Sequence, residues 1–198
     1  MSPRPECAVS PGFVLLAAWF AWSCGWEMLA AVMLAAVIHE LGHFLVLCCF
    51  GIRVRSLRVC VLGAVMEADT ARLSYPRELV ATLAGPGANL LFCALLSIWD
   101  ESRFTPLVGA SVVLCVFNLL PILPLDGGRA LYLLTAWCFG GQVGERVARV
   151  TGACCAVALG GGLFYVMACT GGSLWLAPVA LAAFAAAARL LLNYEIFW

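Results

Sequence analysis

The chain contains two histidines, and their spacing is typical of a metal site. His39 and His43 lie four residues apart, with Glu40 directly after the first, in the pattern H-E-x-x-H. Residues i and i+4 of a helix share one face, so both imidazoles can bind one zinc ion. Glu40 can then take a proton from a water that the metal activates. The three residues therefore predict metal-assisted hydrolysis. The alternative is a buried pair of structural histidines with a glutamate partner.

A catalytic zinc ion needs a third protein ligand, and because there is no third histidine, this ligand must be an acid. Glu27 precedes His39 by 12 residues on the same predicted helix, about 18 Å away, which is too far. Asp126 is the candidate, because it follows Pro121 and Pro124, which should break a helix. Irregular chain of this kind can line a polar cavity inside a membrane protein. A turn residue at a helix end is the alternative role for Asp126.

The composition predicts a membrane protein, since 64% of the 198 residues are hydrophobic and 11% are charged. We expect an all-α polytopic membrane protein with one domain over residues 1–198 and about six transmembrane helices. A five-span arrangement with a re-entrant start is the alternative, and no basic tract suggests nucleic acid as a partner. The predicted spans are about 13–26, 28–49, 79–98, 106–124, 150–169 and 173–193.

The basic residues, all of them arginines, predict the orientation in the cell membrane. Short loops rich in arginine stay in the cytoplasm. In the six-span arrangement every arginine except Arg103 falls on one side of the membrane, so we expect both termini to be cytoplasmic. The ten on that side are Arg4, Arg53, Arg55, Arg58, Arg72, Arg77, Arg129, Arg146, Arg149 and Arg189.

The segment between the second and third spans has the pattern of short strands. Residues 52–59 alternate apolar and basic side chains, and Gly63 follows. This pattern favours a small strand-like hairpin at the membrane surface, and an extended substrate segment could pair with residues 52–59. An irregular basic loop that only orients the protein is an equal alternative.

Three motifs together resemble the site-2 protease family of intramembrane zinc metalloproteases, closest to stage IV sporulation protein FB and its relatives. They are H-E-L-G-H at 39–43, G-P-G-A-N at 85–89 and N-x-x-P-x-x-P-L-D-G-G at 118–128. The resemblance implies a zinc metalloendopeptidase that cleaves a membrane-tethered protein within the bilayer. It implies that His39, His43 and Asp126 bind Zn²⁺ and that Glu40 is catalytic.

The resemblance also assigns roles to two asparagines. Asn118 is expected to bind substrate, and Asn89 is expected to bond across packed helices. A sporulation substrate and an inhibitory membrane partner are further expectations from the relatives. The chain departs from some relatives in that we expect neither a C-terminal nucleotide-sensing domain nor a PDZ domain.

Two other functions are compatible with ionisable residues in a membrane. A metal or proton transporter would also bury His, Glu and Asp, although it should line a path through both leaflets. A catalytically idle scaffold of the same fold would keep the motifs without using them. Bound zinc and cleavage of a substrate would distinguish the protease from both.

Overall fold

The computed structural model describes residues 6–60, 63–69, 73–98 and 101–169, together with 180, 181, 183–185, 187 and 188. The chain forms two compact units, residues 1–117 and residues 118–198. Helices make up most of the described residues in both units.

The first unit begins with two helices separated by one glycine. Helix α1 is Pro11–Cys24, and the Ser10 hydroxyl accepts a hydrogen bond from the Phe13 backbone N–H at its start. Helix α2 is Trp26–Cys49. Gly25 has a φ of +89°, which side-chain-bearing residues rarely adopt, and this ends α1 and begins α2. The glycine therefore divides an apolar stretch that would otherwise be one long helix.

Two further helices complete the helical part of this unit. Helix α3 is Tyr75–Leu96 and runs through Pro86, and helix α4 is Glu101–Asn118. The span predicted to reach residue 124 thus ends earlier as a helix, because Pro121 and Pro124 follow it. Among the described elements, α2 and α3 have the most extensive mutual packing.

A three-stranded sheet in the order β1-β2-β3 belongs to the same unit. Strand β1 is Glu6–Val9, β2 is Val54–Cys60 and β3 is Gly63–Ala68. Strand β1 is parallel to β2, whereas β3 is antiparallel to it, with Leu57 opposite Met66. Strand β2 is therefore central and paired on both sides. The interpretation that a substrate adds to residues 52–59 is wrong for residues 56–59, because β1 and β3 already pair with both sides of the strand there.

The second unit contains an irregular segment and two helices. Residues 119–125 precede helix α5, Asp126–Phe139, and Gly140 separates it from α6, Gly141–Cys169. Residues 125–149, which lie between two predicted spans, include α5 and the first part of α6. Most of the predicted span 173–193 lies outside the described residues.

The irregular segment of the second unit is anchored by apolar packing. Leu123 packs with Ala148 and Ala153 of α6, and Ile122 packs with Ala156 of α6 and with Ala187. The segment before Asp126 is therefore held in place although it is neither helix nor strand.

Three described helices are long and apolar enough to cross a membrane, namely Trp26–Cys49, Tyr75–Leu96 and Gly141–Cys169. Helices Pro11–Cys24 and Thr105–Asn118 are apolar but shorter. Large apolar side chains on these helices point outward, including Trp22, Leu91 and Phe164. Apolar surface on this scale is suited to lipid, and the chain is a membrane protein with several apolar helices.

Gly42→Ala should destabilise the first unit. Its methyl group would lie 2.4 Å from the Ala84 carbonyl oxygen and 2.7 Å from the Ala88 Cβ, so α2 and α3 would have to separate. Overpacking of this kind costs about 1–3 kcal/mol. Gly109→Ala on α4 is the control, because no atom lies within 4 Å of a Cβ built there. Thermal unfolding in detergent measures the difference, and equal midpoints for the two variants would contradict the close helix contact.

Candidate metal centre

Helix α2 presents His39 and His43 as a pair with their Nε2 atoms close together. The rings are edge-to-face with centroids 4.8 Å apart, and the Nε2 atoms are 3.2 Å apart. Two nitrogen ligands at 2.0–2.1 Å from a tetrahedral zinc ion would be about 3.3 Å apart. The separation of the two nitrogens therefore fits a shared zinc ion.

The second ring nitrogen of each histidine faces helix α3. His43 Nδ1 lies 2.8 Å from the Ala81 carbonyl oxygen. A carbonyl only accepts, so Nδ1 carries the proton and donates it, which leaves the Nε2 lone pair for a metal. His39 Nδ1 lies 3.4 Å from the Asn89 side-chain amide nitrogen. His39 is 4% exposed, so its ring is almost completely enclosed.

Gly85 of α3 supplies the space that the two Nε2 atoms need. A Cβ built at this position would lie 2.2 Å from His43 Nε2 and 2.8 Å from His39 Nε2. Neither distance is possible for a real methyl group, so only glycine lets the α3 backbone come this close to the rings. The pair and the glycine together form a cradle on one side of the expected ion position.

Asp126 is the first residue of α5, in the second unit. The two glycines that follow it pack directly on the irregular segment. A Cβ at Gly127 would lie 2.1 Å from the Leu119 carbonyl oxygen, and one at Gly128 would lie 2.5 Å from the Ile122 carbonyl carbon. The double glycine thus lets the first turn of α5 lie against residues 119–123. His39 and His43 belong to the first unit and Asp126 to the second, and Asp126 as the third ligand stays a prediction.

The sequence also predicts functional roles for Glu40 and Asn118. Glu40 is half-buried on α2, directly after His39, and Asn118 is the half-buried last residue of α4. Sequence reasoning missed the Ala81 carbonyl, because a backbone group leaves no trace in residue type. It noticed Gly85 only as part of a motif, although the two glycines around Pro86 were a signal of close packing.

The region that contains the two histidines is similar to a known protein family. Residues 27–100 match the model of Peptidase family M50. This region therefore resembles the domain of that family. The match includes all of α3 and all but the first residue of α2, and therefore His39, Glu40, His43, Gly85 and Asn89.

Two named relatives are similar to this chain over a longer stretch than residues 27–100. Stage IV sporulation protein FB of Bacillus subtilis is 28% identical over 148 residues, which are 71% of this chain and 51% of that protein. Zinc metalloprotease MJ0392 of Methanocaldococcus jannaschii is 26% identical over 137 residues, 64% of this chain and 40% of that protein. The chain spans about a third to a half of the length of the curated relatives it matches.

A solved structure shows the same fold. The site-2 protease from Methanocaldococcus jannaschii superposes with a TM-score of 0.68 at 20% identity, over 100% of this chain and 97% of that chain. The chain therefore has the fold of that protein. The comparisons give no support to a transporter or an idle scaffold.

Gly85→Ala should strongly reduce the zinc content of the purified chain, because the methyl group would displace both Nε2 atoms from their present positions. Gly87→Ala is the matched control on the same helix, since nothing lies within 4 Å of a Cβ there. Elemental analysis should find about one zinc ion per chain in the control, as for a single catalytic site. Full occupancy in both variants would contradict the position of Gly85 against the rings.

Proposed function

We propose that the chain is an intramembrane zinc metalloprotease that hydrolyses a peptide bond of a membrane-associated protein. The observation that carries this proposal is the pair of Nε2 atoms 3.2 Å apart on a membrane-length apolar helix, with Gly85 against them. A pair of structural histidines does not need a glycine at van der Waals distance from both Nε2 atoms.

In this proposal His39, His43 and Asp126 are the three protein ligands of Zn²⁺. The proton position on His43 supports the two histidines as ligands, and Asp126 is the acid that the sequence predicts as the third. Two histidines and one carboxylate match the ligand sets of known zinc hydrolases, which keep one position open. When bound, zinc supplies a Lewis acid that polarises the scissile carbonyl and acidifies water.

Glu40 is the general base and acid in the proposed reaction. A Glu40 carboxylate oxygen accepts a proton from the attacking water and returns it to the leaving amine. Its place directly after His39 in the H-E-x-x-H pattern supports this role. Asn118 is proposed to bind substrate, because its amide at the end of α4 can donate to or accept from an extended backbone.

The substrate must be extended where it is cut, since the peptide groups of a helix are occupied by their own hydrogen bonds. Strand addition would provide such a segment with partners. Because β2 is central, we infer that the substrate segment pairs with the outer edge of β3.

The relative named stage IV sporulation protein FB makes a sporulation regulator precursor the first substrate to test. An inhibitory membrane partner is part of the same proposal.

The proposed arrangement in the cell membrane has six spans and both termini in the cytoplasm. The arginine distribution supports it, because ten of eleven fall on one side. A green fluorescent protein fused after Trp198 should fluoresce, whereas alkaline phosphatase fused after Glu101 should be active outside the cytoplasm. The reverse pattern would contradict the topology without affecting the zinc site.

Glu40→Gln should abolish cleavage, because the glutamine amide cannot accept the proton from water. It should keep zinc, because residue 40 is not a ligand in this proposal. A loss of roughly 10²–10⁴-fold is expected for removal of a general base. The assay uses the chain reconstituted in liposomes with a membrane-tethered sigma-factor precursor. Glu27→Gln is the matched control, since Glu27 is exposed near the start of the same helix. His43→Ala should lose zinc and cleavage together, and wild-type rates for Glu40→Gln would refute the proposal.

A further inference from the structure

Asn89 is a completely buried amide beside one of the two imidazoles. Its exposed fraction is 0%, and its Nδ2 atom lies 3.4 Å from His39 Nδ1. Its Oδ1 atom is buried and has no hydrogen-bond partner among the described residues. Leaving a buried acceptor without a partner is unfavourable. The orientation of this amide therefore needs a physical explanation.

Ser111 of α4 is a second buried polar residue at the same level. It is also 0% exposed, and its hydroxyl has no partner within the described part of the chain. Two thiol contacts set the register of α3 against α4. The Cys115 thiol donates to the Pro86 carbonyl at 3.6 Å, and the Cys93 thiol donates to the Val108 carbonyl at 3.8 Å.

This register places Ser111 beside Asn89 along the two helices. Asn89 is three residues after Pro86 and four before Cys93, and Ser111 is three residues after Val108 and four before Cys115. The two buried groups with unsatisfied atoms thus lie at one height on facing antiparallel helices.

The chemistry of His39 decides which amide atom must face it. A histidine that binds metal through Nε2 carries its proton on Nδ1 and usually donates it to an oxygen. The NH₂ group of an amide cannot bond to an N–H group, whereas the amide oxygen can accept from it. A half-turn of the amide exchanges its oxygen and nitrogen, which are assigned from the hydrogen-bond network.

We propose that Asn89 is a positioning residue for the zinc site. Its Oδ1 atom accepts a hydrogen bond from His39 Nδ1–H, which holds the Nε2 lone pair toward the metal. The inference rests on the proposed function, since it takes His39 as a ligand. The two histidines are then held differently, because His43 donates to the backbone of Ala81 and His39 to a side chain.

The zinc affinity of Asn89 variants tests this role. Asn89→Leu removes the acceptor at similar volume and should weaken zinc binding about 10–100-fold, the usual effect of losing such a partner. Asn89→Asp keeps an oxygen acceptor and has no NH₂ group, so it should bind zinc about as tightly as the wild type. Ser111→Ala is the control, because it removes a buried hydroxyl of α4 and leaves the Asn89 oxygen in place, so it should bind zinc about as tightly as the wild type. Competition with a chromophoric chelator measures all four proteins, and their thermal midpoints are recorded alongside.

Nuclear magnetic resonance of the histidine rings provides a second measurement that is independent of activity. The chain has two histidines, so selective ¹⁵N labelling gives four ring nitrogens. In the zinc-loaded wild type, His39 Nδ1 should carry a slowly exchanging proton. In Asn89→Leu this proton should exchange rapidly with water, while the His43 Nδ1 proton, held by Ala81, remains unchanged as an internal control.

The outcomes separate this inference from the proposed function. A wild-type chain that binds no zinc would overturn both. A wild-type chain that binds zinc, with equal affinity and an unchanged His39 proton in Asn89→Leu, would overturn the positioning role alone. If Asn89→Leu does not fold, Asn89→Asp decides, because weak zinc binding by that variant in its folded form would show that the oxygen does not face the ring.

Discussion

The close approach of α2 and α3 is the contact on which the metal centre depends. Gly42 of α2 lies against the Ala84 backbone, and Gly85 of α3 lies against both imidazoles. Small residues let membrane helices come this close, and their backbones can then bond to neighbouring side chains. The Ala81 carbonyl reaches His43 for this reason. A larger residue at either glycine would separate the helices and the groups they align.

Some polar residues of the described helices are buried inside the protein, namely His39, Thr82, Asn89 and Ser111. On α2, His39 is 4% exposed, whereas Val37 is 58% and Leu41 is 48% exposed. A polar or charged group facing lipid is costly, so each one must find partners inside the protein. The same requirement explains why Asn89 and Ser111 are both fully buried at one level of α3 and α4. Zinc chemistry in a bilayer needs this enclosure, since it keeps both the charge and the ligands away from lipid.

In the second unit, a segment of irregular backbone precedes Asp126. Residues 119–125 leave the helix after Asn118 and are packed by Ile122 and Leu123 against α6. The glycines after Asp126 let α5 start against this segment. Non-helical chain at membrane depth is tolerated where it is enclosed by protein. The segment leads directly into Asp126, the acid that the sequence predicts as a ligand.

The sequence by itself determined the features that depend on neighbours along the chain. The four-residue spacing of His39 and His43 fixes their common face on any helix, and the break before Asp126 follows from the local effect of two prolines. Only the tertiary structure decided what surrounds these residues. Gly85 and Asn89 lie 46 and 50 residues from His39 in the chain, so their contact with it depends on how α3 packs on α2. The sequence likewise did not show that β2 is the central strand, because its second partner, β1, comes from the start of the chain. It also did not show the helices within residues 125–149, because charged residues interrupt the apolar pattern there.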